Sequence, residues 1–208
     1  MNPFEANLRD RLSRRGVVIP AAELAQLMAY FELLVRWNRK INLTALPLDG
    51  APDATIDRLF VEPVVAAALF PSSALTWFDV GSGGGSPAVP MKVLHPETHL
   101  TMVESKSRKA AFLREVIRAL GLSGAAVAES RFESLVSFTK AGTDVVSVRG
   151  VRPDERLIAL CRATLKSRGR LLLFQSTAVG SVQLSNFALV DQVRLSEQGA
   201  FLVVFEAA

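Results

Sequence analysis

The sequence predicts an α/β protein in which an N-terminal helical extension precedes a mostly parallel, doubly wound sheet. From residue 75 onward strand and helix patterns alternate, and this alternation is typical of a parallel sheet with helices on both faces. The first 70 residues instead carry apolar side chains at helical spacing. We therefore expect two segments, a helical extension over residues 1–72 and a sheet domain over residues 73–208.

The helical extension is predicted to contain three helices. Apolar side chains recur at helical spacing between Ala21 and about Trp37, which indicates an amphipathic helix. These side chains are Leu24, Leu27, Met28, Phe31, Leu34 and Val35. A shorter helix is expected before it. A loop rich in Pro and Gly, residues 47–52, then separates it from a third helix near residues 53–70.

The sheet domain is predicted to contain seven strands. Parallel strands are expected near residues 75–80, 99–103, 125–128, 143–148 and 170–174, and helices near residues 87–94, 106–120, 131–137 and 153–166. Residues 187–194 and 201–205 are also strand patterns, and only a short Ser-Glu-Gln-Gly turn separates them. We therefore expect these two strands to form an antiparallel pair at one edge of the sheet.

Composition excludes several classes of protein. Half of the 208 residues are apolar, yet no apolar run approaches the roughly 18 residues of a membrane helix. The first residues lack the apolar stretch of a signal peptide, so we expect a cytoplasmic protein with no membrane partner. The single Cys161 cannot form an internal disulfide. His95 and His99 are separated by the helix breaker Pro96, so no metal site is expected.

A glycine-rich turn follows the first predicted strand and indicates a ligand site. Asp79 closes this strand, and Gly81, Gly83 and Gly85 alternate through the turn. Glycine accepts positive φ and lets backbone N–H groups approach a ligand closely. Glu104 lies at the tip of the second predicted strand, at about the spacing at which an acid binds a ribose diol. The pattern therefore predicts a nucleoside cofactor.

The spacing of the loop favours S-adenosylmethionine (SAM) over a dinucleotide. A dinucleotide fingerprint has a third glycine or alanine three residues after the second, and here that position is Ser86. The form Asp79-x-Gly81-x-Gly83-x-Gly85 instead resembles motif I of the class I SAM-dependent methyltransferases. This resemblance implies a Rossmann-like fold with an antiparallel edge strand. It also implies that the loop surrounds the methionine end of SAM, with Asp79 near its ammonium group.

Four further segments resemble one family within that class, the bacterial small-subunit (16S) rRNA guanine-N7 methyltransferases, also called glucose-inhibited division protein B. Residues 37–44 match its WN-x3-NLT signature, and residues 103–113 match its second-strand acid followed by a basic stretch and Phe-Leu. Residues 131–133 are similar to its Arg-x-Glu, and residues 148–150 to its Ser-Arg-Ala. The matches occur in order from about residue 20 to residue 175. The chain is thus identified as a divergent member of the family.

The family resemblance implies a set of cofactor contacts. By position it places five residues around SAM, namely Gly81, Ser86, Phe132, Glu133 and Arg149. Phe132 presents an apolar face to adenine, and both Phe132 and Glu133 follow the third strand at the carboxyl edge, where open α/β sheets bind ligands. Two family positions are expected to be structural, Trp37 packing on the sheet domain and Asn42 capping backbone.

The resemblance also implies that the partner is ribosomal RNA or the small ribosomal subunit. The net charge of +4 permits a nucleic-acid partner. We expect the enzyme to be a monomer. Arg58, Lys106, Arg131 and Arg149 are the predicted RNA-binding residues. Guanine N7 already carries a free lone pair, so no catalytic base is predicted. A cation beside N7 would oppose the reaction, so Arg131 and Arg149 are assigned to phosphate, to guanine O6 or to orienting the SAM loop.

Three departures from the family pattern keep other functions open. Ser86 replaces a bulky apolar residue and is expected to leave SAM less covered. Residues 58–62 replace His-x-x-Asp-Ser, and Gln175-Ser176 replaces Lys-Gly, which we expect to alter surfaces that face RNA. The alternatives are a SAM-dependent methyltransferase with a protein or small-molecule acceptor, and a non-catalytic paralogue that binds SAM or RNA. The target nucleotide, and the choice between naked RNA and an assembled subunit, do not follow from the sequence.

Overall fold

The helical extension forms as predicted, with one local change. The computed structural model describes residues 3–136, 142–176, 184–197 and 199–208. The extension consists of α1 (Pro3–Ser13), α2 (Ala21–Asn38), α3 (Asp53–Ile56), a π-helical turn (Asp57–Val61) and α4 (Glu62–Ala67). The helix predicted near residues 53–70 is therefore interrupted by a wider turn.

A seven-stranded sheet follows the extension and confirms the predicted α/β fold. Its strands are β1 (Thr76–Val80), β2 (His99–Val103), β3 (Ala125–Ala128), β4 (Thr143–Arg149), β5 (Leu165–Gln175), β6 (Phe187–Arg194) and β7 (Phe201–Ala207). The helices between them are α5 (Ala88–Leu94), α6 (Ser107–Leu120), α7 (Phe132–Val136) and α8 (Glu155–Thr164). One part of the predicted helix near residues 131–137, residue 137, lies outside the described residues.

The strand order is β3-β2-β1-β4-β5-β7-β6. The first five strands are parallel, whereas β7 runs antiparallel to both of its neighbours. The predicted antiparallel pair is thus confirmed. Within this pair, β7 lies between β5 and β6, so β6 forms the edge of the sheet.

The junction between α8 and β5 differs from its prediction. The helix ends at Thr164 and the strand begins at Leu165, although the sequence pattern predicted a helix to about residue 166 and a strand from 170. Leu165 already pairs with Thr143, and the register then shifts before Arg170 pairs with Val145. The intervening residues form an irregularity in which Arg168 has a φ of +63°.

The core lies on both faces of the sheet. One face packs against α1, α2, α4, α5 and α6, and its cluster joins Phe4 and Phe60 of the extension to Trp77 and Val145 of the sheet. The other face packs against α7 and α8. The predicted boundary near residue 72 falls in the turn before β1, and the two segments share the first of these clusters. No helix within the described ranges combines the length and apolarity that crossing a bilayer requires.

The segment after α2 is organised by Asn38 rather than by Asn42. The Asn38 Oδ1 accepts hydrogen bonds from the backbone N–H groups of Leu43 and Thr44 at 2.9 and 3.0 Å. Trp37 packs edge-on against Phe112 of α6, with ring centroids 5.7 Å apart, as its predicted structural role requires. These contacts hold residues 38–44 beside the glycine loop, because the Leu43 carbonyl lies close to Gly84.

Candidate active site

The glycine loop begins directly after β1 and is tied to the end of β2. The backbone N–H groups of Gly81 and Ser82 donate to the Val103 carbonyl at 2.9 and 3.1 Å. Gly81 has a φ of +73°, and a Cβ at this position would lie 2.7 Å from Cγ2 of Val151. Both the backbone conformation and the close approach therefore require glycine.

Glu104 is held at the tip of β2 by backbone donors. Its side chain is buried, and Oε2 accepts from the Gly83 N–H at 2.9 Å while Oε1 accepts from the Lys106 N–H at 2.8 Å. A carboxylate has about four lone-pair positions, and these two bonds use half of them. The remaining positions can accept hydrogen bonds from the two hydroxyls of a ribose.

A cavity of about 220 Å³ opens at this carboxyl edge of the sheet. Five of the predicted site residues line it, namely Gly81, Glu104, Arg131, Phe132 and Glu133. Val151 and Leu157, which were not among the predicted site residues, complete one wall. The only sequence signal for Val151 was its position directly after the predicted Ser-Arg-Ala match. The cavity therefore joins acceptor oxygens, an apolar ring and a glycine cradle, a combination that fits the adenosine part of SAM.

Asp79 lies on the other side of the loop and does not line this cavity. It is buried on the face of the sheet that packs against the extension, where Ser147 Oγ donates to its Oδ1 at 2.5 Å. Ser147 Oγ in turn accepts from Trp77 Nε1 at 2.8 Å. Burial raises the pKa of Asp79 to about 6, although the hydrogen bonds from Ser147 and Ser82 and the charge of Arg149 oppose the shift.

Ser86 and Arg149 also lie on this side and face the extension. Ser86 Oγ donates to the Leu59 carbonyl at 2.9 Å and accepts from Arg149 Nη1 at 3.2 Å. Arg149 Nη2 donates to Glu62 Oε2 at 2.5 Å, and only 6% of the Arg149 side chain is exposed. This position differs from the predicted phosphate contact, because a buried, paired guanidinium does not reach RNA. Glu62 is likewise buried, so it does not face RNA as residues 58–62 were expected to do.

Several basic side chains lie beside the cavity or on the segments that flank the glycine loop. The exposed Arg131 lines the cavity, Lys106 is exposed next to the cavity-lining Ser105, and the partly exposed Lys109 brings its Nζ close to Gly83 of the loop. Arg39 and Lys40 after α2, Arg108 in α6 and Arg152 after β4 are also exposed. We call these seven residues the basic rim. None of them forms an ion pair with another residue in the described part of the chain.

A second basic cluster, which consists of Arg9, Arg11 and Arg14 in and directly after α1, differs from this rim because its charges are largely neutralised. Arg9 pairs with Glu5, Arg14 with Asp10, and Arg11 with Asp53 and Asp57. The cluster therefore stabilises the extension more than it attracts a polyanion. Among the described residues, no three His, Cys, Asp or Glu side chains are grouped as metal ligands.

Comparison with known proteins decides the family. Residues 23–193 match the GidB family, described as rRNA small subunit methyltransferase G. The chain belongs to this family. It is 38% identical over 156 residues to the ribosomal RNA small subunit methyltransferase G of Xanthomonas axonopodis pathovar citri, an alignment that covers 74% of this chain and 69% of that protein. As a family member, the chain is a SAM-dependent rRNA methyltransferase.

Solved structures confirm the class I methyltransferase fold. The putative methyltransferase yhhF from Escherichia coli superimposes with a TM-score of 0.56 at 16% identity, covering 71% of this chain and 84% of that one. A SAM-dependent methyltransferase from Aquifex aeolicus gives a TM-score of 0.58 at 11% identity, covering 76% and 94%. At these identities the likeness concerns the fold alone.

Proposed function

We propose that this protein transfers a methyl group from SAM to N7 of a guanine in the 16S rRNA of the small ribosomal subunit. The observation that carries the proposal is the cavity at the carboxyl edge of the sheet, where Gly81, Glu104 and Phe132 meet beside Lys106 and Arg131 of the basic rim. An acidic surface beside the cavity would instead favour a cationic methyl acceptor. The rim supplies positive charge where an RNA backbone would lie.

The residues of the cavity would hold SAM by its adenosine part. Glu104 binds the ribose hydroxyls with the lone pairs that Gly83 and Lys106 leave free. Phe132 packs against adenine, and Glu133 accepts from a neighbouring donor. Asp79 beneath the loop attracts the ammonium group at the methionine end. The bound cofactor supplies an electrophilic methyl group on its sulfonium.

Recognition of RNA would be the task of the basic rim. Lys106 and Arg131 flank the cavity with charges that have no partner among the described residues, so they can neutralise phosphates. Arg58 is partly exposed at the other side of the loop and pairs with Glu62, which leaves it a weaker candidate. For Arg149 we favour the third of its predicted roles, orienting the loop that holds SAM.

Transfer to N7 places few chemical demands on the protein. The in-plane lone pair of N7 is unprotonated at neutral pH, so no side chain has to remove a proton. The protein must accept the base and hold N7 in line with the methyl carbon at roughly 3–3.5 Å. Positive charge moves onto the purine, which is consistent with the burial of Arg149 away from the cavity.

The proposal is tested by methyl transfer from labelled SAM to small ribosomal subunits purified from cells that lack the protein, followed by mapping of the modified base. We expect label at one guanine, as 7-methylguanine. Naked 16S rRNA tested in parallel identifies the form of the substrate. Label in ribosomal protein, or SAM binding without any transfer, would contradict the proposal in favour of another acceptor or a non-catalytic paralogue. Sedimentation and cell fractionation test the accompanying expectation of a cytoplasmic monomer.

A further inference from the structure

The π-helical turn before α4 presents two backbone carbonyls to the site, and Pro63 explains why. In a regular α-helix the Leu59 carbonyl would accept from residue 63, but Pro63 has no N–H and its ring would clash with that carbonyl. The helix widens instead, and the Glu62 N–H donates to the Asp57 carbonyl five residues back. The carbonyls of Arg58 and Leu59 therefore lose their usual helical donors.

Side chains from the sheet domain replace those donors. Arg149 Nη2 donates to the Arg58 carbonyl at 2.5 Å, and Ser86 Oγ donates to the Leu59 carbonyl at 2.9 Å. Carbonyls that are withdrawn from water are almost always hydrogen-bonded, and each of these part-buried contacts satisfies a carbonyl that has lost its helical donor. Ser86, which was expected to leave SAM less covered, thus has a specific partner in the extension.

Glu62 holds this arrangement together by charge. Its Oε2 accepts from Arg149 at 2.5 Å and from Arg58 at 2.9 Å, and 4% of its side chain is exposed. Burial and the nearby charge of Arg58 lower the pKa of Arg149 to about 10, while Glu62 acts in the opposite direction. Without the carboxylate, two cations would lie close together with no counter-charge between them.

The same network reaches the glycine loop directly. Ser86 follows Gly85, the last glycine of the loop, and its hydroxyl also accepts from Arg149. A second contact from the extension, the Tyr30 hydroxyl, donates to the Gly84 carbonyl at 2.6 Å. The extension therefore holds the loop on either side of Gly85, while Glu104 holds it from the cavity side through Gly83.

We propose that Glu62 is a positioning residue of the SAM site, which fixes the glycine loop through Arg149 and Ser86. This inference rests on the SAM site of the proposed function and is independent of the methyl acceptor. Glu62 touches neither the cavity nor the basic rim. Its effect is therefore expected on the affinity for SAM and not on RNA binding.

The test compares Glu62→Gln and Ser86→Ala with Glu115→Gln, whose carboxylate forms a surface ion pair with Arg118 of α6. Calorimetry measures the Kd of SAM at a temperature at which circular dichroism shows each variant folded. We expect about a tenfold increase in Kd for Glu62→Gln, about threefold for Ser86→Ala, and no change for Glu115→Gln. In methyl transfer, KM for SAM should rise in parallel while kcat at saturating SAM stays within about threefold.

A purely structural role would lower Tm and leave the Kd of SAM unchanged in the folded variants, and that result would overturn the inference. Glu62→Asp keeps the charge and should recover part of the affinity. If Glu62→Gln does not fold, Ser86→Ala decides, because it removes one uncharged hydrogen bond and an unchanged Kd would contradict the proposal. Failure of the wild-type protein to bind SAM would instead contradict the proposed function itself.

Discussion

The two sides of the glycine loop differ in whether their polar groups face the cavity or other parts of the protein. On the cavity side, Glu104 keeps unused lone pairs and the basic rim keeps charges without ion-pair partners among the described residues. On the extension side, Asp79, Ser86 and Arg149 are all hydrogen-bonded within the protein and buried or partly buried. Groups that face the cavity can bind a ligand, whereas groups bonded to other parts of the protein set the position of the backbone. The cavity side is thus built to contact ligands, whereas the extension side positions the loop and holds the Asp79 carboxylate beneath it.

The largest effect is expected where the two sides meet, at Gly85. This residue has a φ of +92°, and a Cβ would lie 2.9 Å from Val89 Cγ2 and 3.1 Å from the Tyr30 hydroxyl. Gly85→Ala combines backbone strain with overpacking, so we expect the free energy of unfolding to fall by about 2–5 kcal/mol. Urea denaturation measures the change.

Gly121 provides the matched control for this substitution. It ends α6 with a φ of +62°, and a Cβ at this position would meet no atom within 4 Å. Gly121→Ala should therefore lower the free energy of unfolding through backbone strain alone, by about 1–2 kcal/mol. Equal losses for the two variants would show that close packing at Gly85 contributes nothing.

The next effect concerns the cavity side and Glu104. Glu104→Gln keeps the size of the side chain but removes the charge and replaces one acceptor oxygen with a donor group. A charge-assisted hydrogen bond contributes about 1.5–3 kcal/mol, so SAM should bind roughly ten- to a hundredfold more weakly. Calorimetry with the folded variant checks this, and Glu129→Gln, which removes an exposed carboxylate paired with Arg114, serves as the control. An unchanged affinity would remove Glu104 from the cofactor site.

A smaller effect, on the extension side, is a pH dependence of SAM binding. With a pKa of about 6, Asp79 is about nine-tenths ionised at pH 7 and one-tenth ionised at pH 5. If the carboxylate attracts the ammonium group of SAM, affinity should fall about tenfold between pH 7 and pH 5. Calorimetry at both values measures it, and Asp79→Asn should abolish this part of the dependence.

The effect of Asp79 on the free energy of unfolding should have the opposite pH dependence to its effect on SAM affinity. The folded protein retains a proton that the unfolded chain releases near pH 3.8, so the contribution of Asp79 to stability decreases as the pH rises from about 4 to 6. Thermal unfolding of wild-type protein and Asp79→Asn across this range tests the sign. A contribution that increases with pH would mean that Asp79 is ionised throughout in the folded state.

The smallest effect is expected at the basic rim. Lys106→Ala removes a charge but keeps the backbone N–H that donates to Glu104, so SAM affinity should not change. Affinity for 16S rRNA should fall about three- to tenfold, and the slope of log K against log salt should decrease by about 1. Arg14→Ala, in the neutralised cluster of Arg9, Arg11 and Arg14, is the control. Equal effects of the two substitutions would argue against a specific rim.

The sequence predicted the cavity side well because its requirements are local. Positive φ values at Gly81, Gly83 and Gly85 and an acid at the tip of the next strand are read from residue type and spacing. Phe132 and Glu133 were placed by the family motif, and the structure brings both to the same cavity. The roles of all these residues in binding SAM remain predictions.

The extension side was predicted less well because its partners are distant in sequence. Arg149 and Glu62 are separated by 87 residues, and nothing in either segment alone indicates that they meet. Pro63 was the one available signal, since a proline inside a helical pattern leaves a carbonyl without its donor. That carbonyl accepts from the Ser86 hydroxyl, whereas the family resemblance had placed Ser86 around SAM.

By itself, the sequence determined the order of strands and helices, the glycine loop and the distal acid, because hydrophobic periodicity and backbone sterics act over a few residues. Only the tertiary structure decided where each element is placed. Strand β7 pairs with both β5 and β6 and therefore lies between them. Glu62 lies against Arg149 because a buried charge needs an opposite charge beside it. Such pairings depend on which surfaces meet after the chain has folded.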